Sequence, residues 1–247
     1  MFVTVCNKSY LIGFEVMLKS LIDNNPRVLK ENIPFTIISN DLTEDDLVVA
    51  NKIYPNITIV TFDTEKYKNI EALKAENMAF GDYTKYEIFS IQNVDKIIFL
   101  DCDVVILGNI DNLIDYECGI GAVRDIYIDQ FNTGVIVIGK KYLHQNITQD
   151  LIDLTIKYGI TEHLDQDIIN VYFEGEFEEI PLSYNFLKTY HKALFKNSEL
   201  AKHIKVLHYI VKKPWQQKPL LPLEEGTIWL ERYWFNYYTK TMKYRHG

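Results

Sequence analysis

Cysteine is scarce in this chain of 247 residues. The three present, Cys6, Cys102 and Cys118, have no metal-type spacing and leave an odd count. That excludes a disulfide scaffold and points to a reducing, cytoplasmic setting. No segment reaches the ~18 consecutive apolar residues that a membrane span needs. The opening MFVTVCNKSY has neither a basic n-region nor a long apolar h-region, so no secretory leader is expected. The glycosylation sequons at Asn7, Asn56 and Asn146 then carry no weight. Positive charge is in deficit: 26 Lys and Arg stand against 34 Asp and Glu, a net charge of −8. A general nucleic-acid binder needs a basic surface to displace counterions, so nucleic acid is not an expected partner. Internal repeats, low-complexity tracts and linkers are also missing.

What is present is a globular composition, 24% charged and 47% hydrophobic, with an aromatic surplus of 13% that includes 17 tyrosines. At ~150 residues per domain the length allows one to two domains. The simplest division is one α/β domain over residues 1–225 and an aromatic C-terminal helix over 226–247.

The chain opens on a strand, Phe2–Cys6. From about Ser9, Leu11, Phe14, Leu18 and Leu21 recur at three- and four-residue steps and Met17 widens their face, which predicts a helix. Pro34–Ser39 and Asn56–Phe62 read as strands, and Thr43 with three acids behind it reads as a helix start between them. The β-α-β-α-β alternation predicts a mostly parallel, Rossmann-like sheet flanked by helices. Asp82 is a candidate cap for a helix running to about Asn93. Lys96–Leu100 is a short apolar run that fits a buried strand. Further strands are predicted at Ile120–Val123, Phe131–Ile138 and Lys205–His208, and helices at Asp165–Phe173 and Thr227–Met242. Pro214, Pro219 and Pro222 break structure between the last two elements.

The strand at Lys96–Leu100 ends in Asp101-Cys102-Asp103. In open α/β sheets, ligands bind beyond the carboxyl ends of the strands. An i, i+2 spacing points both carboxylates to one side of an extended chain. Two adjacent anions repel unless a hard divalent cation neutralises them. Two enzyme classes use such a pair. A nucleotide-sugar transferase holds a metal on the diphosphate with it. A phosphohydrolase of the haloacid-dehalogenase type uses the first aspartate as nucleophile and the second as acid/base. That motif usually sits near the start of a chain, and here about 100 residues of β/α structure precede it.

The order of the remaining motifs favours the transferase. Thr4–Tyr10, Phe99–Leu113 (FLDCDVVILGNIDNL), Phe131–Ile138 (FNTGVIVI), Leu164–Asn170 (LDQDIIN), and His208-Tyr209 with Lys213-Pro214-Trp215 occur in sequence. This set resembles glycosyltransferase family 8, which includes glycogenin and bacterial lipopolysaccharide galactosyltransferases. The resemblance implies a glycosyltransferase-A type fold. It also implies a retaining transferase moving a hexose, glucose or galactose, from a UDP-sugar to a hydroxyl acceptor with Mn2+, or Mg2+ in its place. Carried over position by position, Asp101, Asp103 and His208 would hold the metal, with Asp101 also near the ribose. Asn7 and Tyr10 would hold the uracil, Tyr10 by stacking. Lys85 and Lys213 would meet the diphosphate. Asp125, Asn132, Asp165 and Gln166 would line the sugar and acceptor site. The acceptor would be a glycan, a lipid-linked sugar or a small molecule. A non-catalytic nucleotide-sugar binder on the same fold is a third reading.

Elementary arguments bear on several of these positions. Lys85 falls in the first turn of its predicted helix, where the dipole disfavours a cation, and a diphosphate there would repay the placement. A histidine beside two carboxylates makes a mixed O/N site, which suits manganese better than calcium. Asp165 reads equally as a helix N-cap. Two positions depart from the family pattern: Val211 stands where glycine is common, and Cys6 where threonine or serine is. On the C-terminal helix, Trp229, Tyr233, Trp234, Tyr237 and Tyr238 cluster with Arg232, Lys240, Lys243 and Arg245. Packing on the domain or on a homodimer partner is the simpler reading, and membrane association is not favoured.

Overall fold

The computed structural model describes residues 1–71, 80–143, 146–191, 202–216 and 228–246. The predicted breaks at Pro219 and Pro222, and the expected boundary between residues 225 and 226, lie outside the described residues.

The first half builds the predicted alternation. Strand β1 (Phe2–Val5) is followed by helix α1 (Leu11–Asn24) and the short α2 (Pro26–Lys30). Next come β2 (Phe35–Ile38), α3 (Val48–Ile53), β3 (Ile57–Val60), α4 (Lys68–Glu71) and β4 (Lys96–Leu100). Thr43 and Asp46 form a capping box at the turn leading into α3, as the acids after Thr43 suggest. The second half adds β5 (Val104–Ile106), α5 (Asp111–Asp115), β6 (Ile120–Arg124), β7 (Phe131–Gly139), α6 (Ile147–Tyr158) and α7 (Asp165–Tyr172). It closes with β8 (Phe177–Glu179), β9 (Phe186–Leu187), β10 (Val206–His208) and α8 (Ile228–His246).

The main sheet has the order β3-β2-β1-β4-β7-β6-β8. Strands β3, β2, β1 and β4 run parallel, while β7 is antiparallel to β4 and β6. Buried on both faces, β4 and the Val135–Ile138 part of β7 read as continuous apolar runs rather than as alternating ones. A second sheet, β5-β10-β9, branches off where β4 ends. The chain therefore leaves one sheet at Leu100 and enters the other at Val104, and Asp101-Cys102-Asp103 is the link between them.

One predicted helix takes another form. The segment expected from Asp82 to Asn93 is a run of 3₁₀ turns, Phe80–Ser90. Aromatics recur at 80, 83, 86 and 89, and a three-residue step keeps such a series on one side of a 3₁₀ helix. Tyr83, Tyr86 and Phe89 are all buried there. Lys85 is therefore mid-segment, not in the first turn of an α-helix, and the dipole argument for it does not apply. Asp165 is not an N-cap either. Leu164 holds that position, with φ 53°, and Asp165 is the first helical residue.

Helix α8 packs on the domain. Asn24 Nδ2 donates to the Tyr237 hydroxyl (2.6 Å), Lys52 Nζ to the Tyr244 carbonyl (3.1 Å), and Arg245 Nη2 to Glu15 (2.7 Å). Trp234 lies 5.7 Å from Trp215, ring to ring. Among the described residues no helix is long and apolar enough to cross a membrane.

Candidate active site

The carboxyl ends of β1 to β4 open on one cleft of about 660 Å³, a size typical of small-molecule sites. Asn7 follows β1, Asp41 follows β2, Phe62 follows β3 and Asp101 follows β4, and all four line it. Tyr10, Lys85, Asp103, Asp165 and Lys213 are on its wall as well.

Asp101, Asp103 and His208 each offer a ligand atom, and these atoms lie within 4.8 Å of one another. His208 Nε2 is 3.1 Å from Asp103 Oδ1 and 3.7 Å from Asp101 Oδ2. The meeting follows from the second sheet. His208 pairs with Val104 in the β10–β5 register, and the Tyr209 amide donates to the Asp103 carbonyl (2.9 Å). Burial of Asp103 would favour its neutral form, but His208 and Lys213 outweigh that and hold its carboxyl well below the usual range. Two carboxylate oxygens and one imidazole nitrogen fit Mn2+ or Mg2+.

Two lysines border this trio. Lys85 Nζ lies 3.2 Å from Asp101 Oδ1 and 3.4 Å from Asp165 Oδ2, and donates to the Thr133 carbonyl at 3.2 Å. Burial alone would lower the Lys85 pKa, and the two aspartates raise it above the ordinary value. Lys213 Nζ is in contact with Asp103 Oδ2. Three aspartates and two lysines by themselves leave one net negative charge. A divalent cation would turn that into one positive charge, which suits an anionic ligand such as a diphosphate.

The sugar-site candidates divide into two groups. Asn132 and Gln166 are buried side by side behind Asp165, with Asn132 Nδ2 donating to Gln166 Oε1 (3.0 Å). Asp167 turns away and accepts from Gln130 Nε2 (2.9 Å) and the His163 amide (2.9 Å). Asp125 stands apart. Its Oδ1 accepts from the Tyr127 amide (2.8 Å) in the loop between β6 and β7, and it does not line the cleft.

At the other end, Asn7 Oδ1 caps a 3₁₀ turn by accepting from the Tyr10 amide (3.1 Å) and Ser9 Oγ (2.7 Å). Tyr10 meets Trp215 edge-on at 5.6 Å. Ser39, Asn40, Asp41 and Phe62 line this end and went unread in the sequence. The signal was available, since each lies within three residues of the carboxyl end of a parallel strand. Asn40 pins Phe62 by a reciprocal pair: Asn40 Nδ2 donates to the Phe62 carbonyl and the Phe62 amide to Asn40 Oδ1, both 3.0 Å.

Val211 adopts φ 67° and is 76% exposed. The chain thus keeps a glycine-type backbone at a position where it lacks glycine. The flanks hold it there: Lys188 Nζ donates to the Lys212 carbonyl (2.7 Å), and Lys213 reaches Asp103.

The sequence pattern described as "Glycosyl transferase family 8" matches residues 2–218. The chain belongs to that family. It is 24% identical to the glycosyltransferase GlyF of Streptococcus pneumoniae over 199 residues, 75% of this chain and 48% of GlyF. The chain therefore spans about half the length of that relative. It is 27% identical over 249 residues to a lipopolysaccharide 1,2-glucosyltransferase of Escherichia coli, covering 85% and 71% of the two chains. The galactosyltransferase LgtC, solved with donor and acceptor sugar analogues, superposes with a TM-score of 0.78 at 19% identity, over 97% of this chain and 95% of that one. The fold is the glycosyltransferase-A type that the resemblance implied. Membership places the chain with the glycosyltransferases and not with the phosphohydrolases that the acidic pair also allowed.

Proposed function

We propose that the protein is a metal-dependent, retaining transferase that moves a hexose from a UDP-sugar to a hydroxyl of a glycan, a lipid-linked sugar or a small molecule. The observation that carries this is the convergence of Asp101, Asp103 and the buried His208 at a cleft that the two aspartates line together with Lys85 and Lys213. When bound to those three side chains, Mn2+ or Mg2+ would neutralise charge on the departing UDP. Lys213 and Lys85 add positive charge at the same place, where it counts more as the leaving group separates. Tyr10 and Asn7, with Asp41 and Phe62 in the same cleft lining, take the uracil end. The distinction between glucose and galactose falls to Asp165 on the cleft wall, with Gln166 and Asn132 behind it; Asp125, in the loop between β6 and β7, lies outside the cleft.

Retention needs a double displacement or attack on the face that the leaving group departs from. Neither residue of the Asp165-Gln166 pair is a free nucleophile. Asp165 is paired with Lys85 at 3.4 Å, and Gln166 turns its Oε1 inward to Asn132. This supports front-face attack, with Asp165 orienting the sugar and the UDP phosphate taking the acceptor proton.

A panel of UDP-sugars with Mn2+ or Mg2+, read as UDP release with and without EDTA, tests the proposal. Release from one hexose donor, lost in EDTA, is the expected result. Full activity in EDTA would overturn the metal's role. Binding of UDP with no release from any donor would mark a non-catalytic binder.

A further inference from the structure

Asn185 belongs to no motif singled out in the sequence. It follows Pro181-Leu182-Ser183-Tyr184, precedes β9 and is fully buried. Its amide stands between the candidate metal trio and the candidate sugar site. Asn185 Oδ1 lies 3.0 Å from His208 Nδ1, and Asn185 Nδ2 donates to Asn132 Oδ1 at 2.7 Å.

The direction of each hydrogen bond in this chain is fixed from outside it. A backbone N–H can only donate. The Gly134 amide points at one end of the Asn132 side chain (3.0 Å), so that end is the carbonyl oxygen. The atom of Asn185 that meets the same oxygen must then be its NH2. The opposite end of Asn185, which faces His208, is therefore its oxygen. An oxygen there needs a donor, so His208 carries a proton on Nδ1. With the Nδ1 proton held by Asn185, Nε2, which lies 3.1 Å from Asp103 Oδ1 and 3.7 Å from Asp101 Oδ2, is the nitrogen that can exchange a proton for a cation and offer its lone pair. A second backbone donor fixes the other branch. The Thr133 amide lies 3.3 Å from Gln166 Oε1, which also accepts from Asn132 Nδ2, so Gln166 keeps its oxygen inward and its NH2 away from them.

We infer that Asn185 is a positioning residue that sets His208 in the tautomer able to ligate a metal through Nε2. Through Asn132, the same amide ties that ligand to the orientation of Gln166. The metal ligand and the sugar-site side chains thus take their hydrogen-bond polarity from two consecutive backbone amides, Thr133 and Gly134. Asn185 acts through His208 and Asn132, the two side chains its amide bonds. This inference rests on the proposed metal site.

The two roles separate by substitution. Asn185→Ala loses both contacts. Asn185→Asp keeps an oxygen for His208 Nδ1–H, in the carboxylate–histidine arrangement common behind metal-ligating histidines. It cannot donate to Asn132. The experiment is a Mn2+ titration of the whole protein without donor, read by electron paramagnetic resonance of free Mn2+, alongside thermal unfolding and hexose transfer. The expected result for Asn185→Ala is a fall in Mn2+ affinity of about 10–100-fold. The aspartate variant should keep Mn2+ affinity yet lose turnover. A folded Asn185→Ala protein that binds Mn2+ like the wild type would overturn the inference. So would an aspartate variant that loses the metal as fully as the alanine. Wild-type protein that binds no Mn2+ would overturn the metal reading itself, and this inference with it.

Discussion

The imidazole of His208 lies directly over Gly134. A Cβ built on Gly134 would stand 2.3 Å from His208 Cε1 and 2.5 Å from its Nδ1. Glycine is required there for space, because the ring cannot move aside without leaving Asn185 and the two aspartates. Gly134→Ala is therefore expected to displace the ring, lower Mn2+ affinity at least about tenfold, and cost about 1–3 kcal/mol of stability from overpacking. Metal titration and urea denaturation measure the two effects. Unchanged metal binding would remove His208 from the ligand set.

Asp103→Asn is expected to reduce turnover by more than about 100-fold with the fold intact, because an amide holds a divalent cation far less well than a carboxylate. Treatment with EDTA should mimic the variant in wild-type protein, and added Mn2+ should reverse it. Circular dichroism checks the fold and UDP release the rate. A variant that transfers sugar at the wild-type rate would refute the ligand role.

Val211→Gly tests the strained loop. A β-branched residue at φ 67° carries about 1–2 kcal/mol of backbone strain. Glycine relieves it but adds entropy to the unfolded chain. The net expectation is a gain of up to about 1 kcal/mol, visible as a higher Tm. Val211 is open to solvent, so no packing is lost. A lower Tm would mean that its side chain makes a contribution its exposure does not suggest.

Arg245→Ala tests how α8 is held. Glu15 is buried on α1, and Arg245 Nη2 lies 2.7 Å from it. Burial raises the Glu15 pKa above its ordinary value, and Arg245 opposes the rise. Without Arg245 the folded-state pKa climbs further. A raised carboxyl pKa means that the folded form holds its proton more tightly than the unfolded one, so stability falls as pH rises above the unfolded value of about 4.3. The variant should lose about 1–2 kcal/mol at pH 7, a figure discounted for the partial exposure of Arg245, and less near pH 4. Urea denaturation at both pH values measures the difference. An equal loss at both would assign the effect to packing.

Much of the architecture was legible because its signals are local. The apolar run Lys96–Leu100 became β4 without a shift of boundary, and the heptad-like steps from Leu11 to Leu21 became α1. The segment around Lys85 was misread because its aromatic step is three residues, a period close enough to that of an α-helix to be taken for one. At the site, Asp101 and Asp103 stood out because an acidic pair directly after an apolar strand is conspicuous. Asn185 had no such mark, since a single buried asparagine reads as any turn residue.

By itself, the sequence determined β1 to β4, β6, β7 and β10, the mostly parallel order of the main sheet and the acidic pair at the carboxyl end of β4, while the short β5, β8 and β9 carried no readable signal. These follow from residue type and period over a few positions. Only the tertiary structure decided what the pair would meet. Lys213 reaches Asp103 across 110 residues of sequence, because a second sheet leaves the first at the aspartates and brings β10 back beside them. The tertiary structure also decided the protonated nitrogen of His208, since that polarity originates in the Gly134 amide and passes through Asn132 and Asn185. Hydrogen-bond direction is a property of which groups face each other in space, and these four residues lie on three separate stretches of the chain.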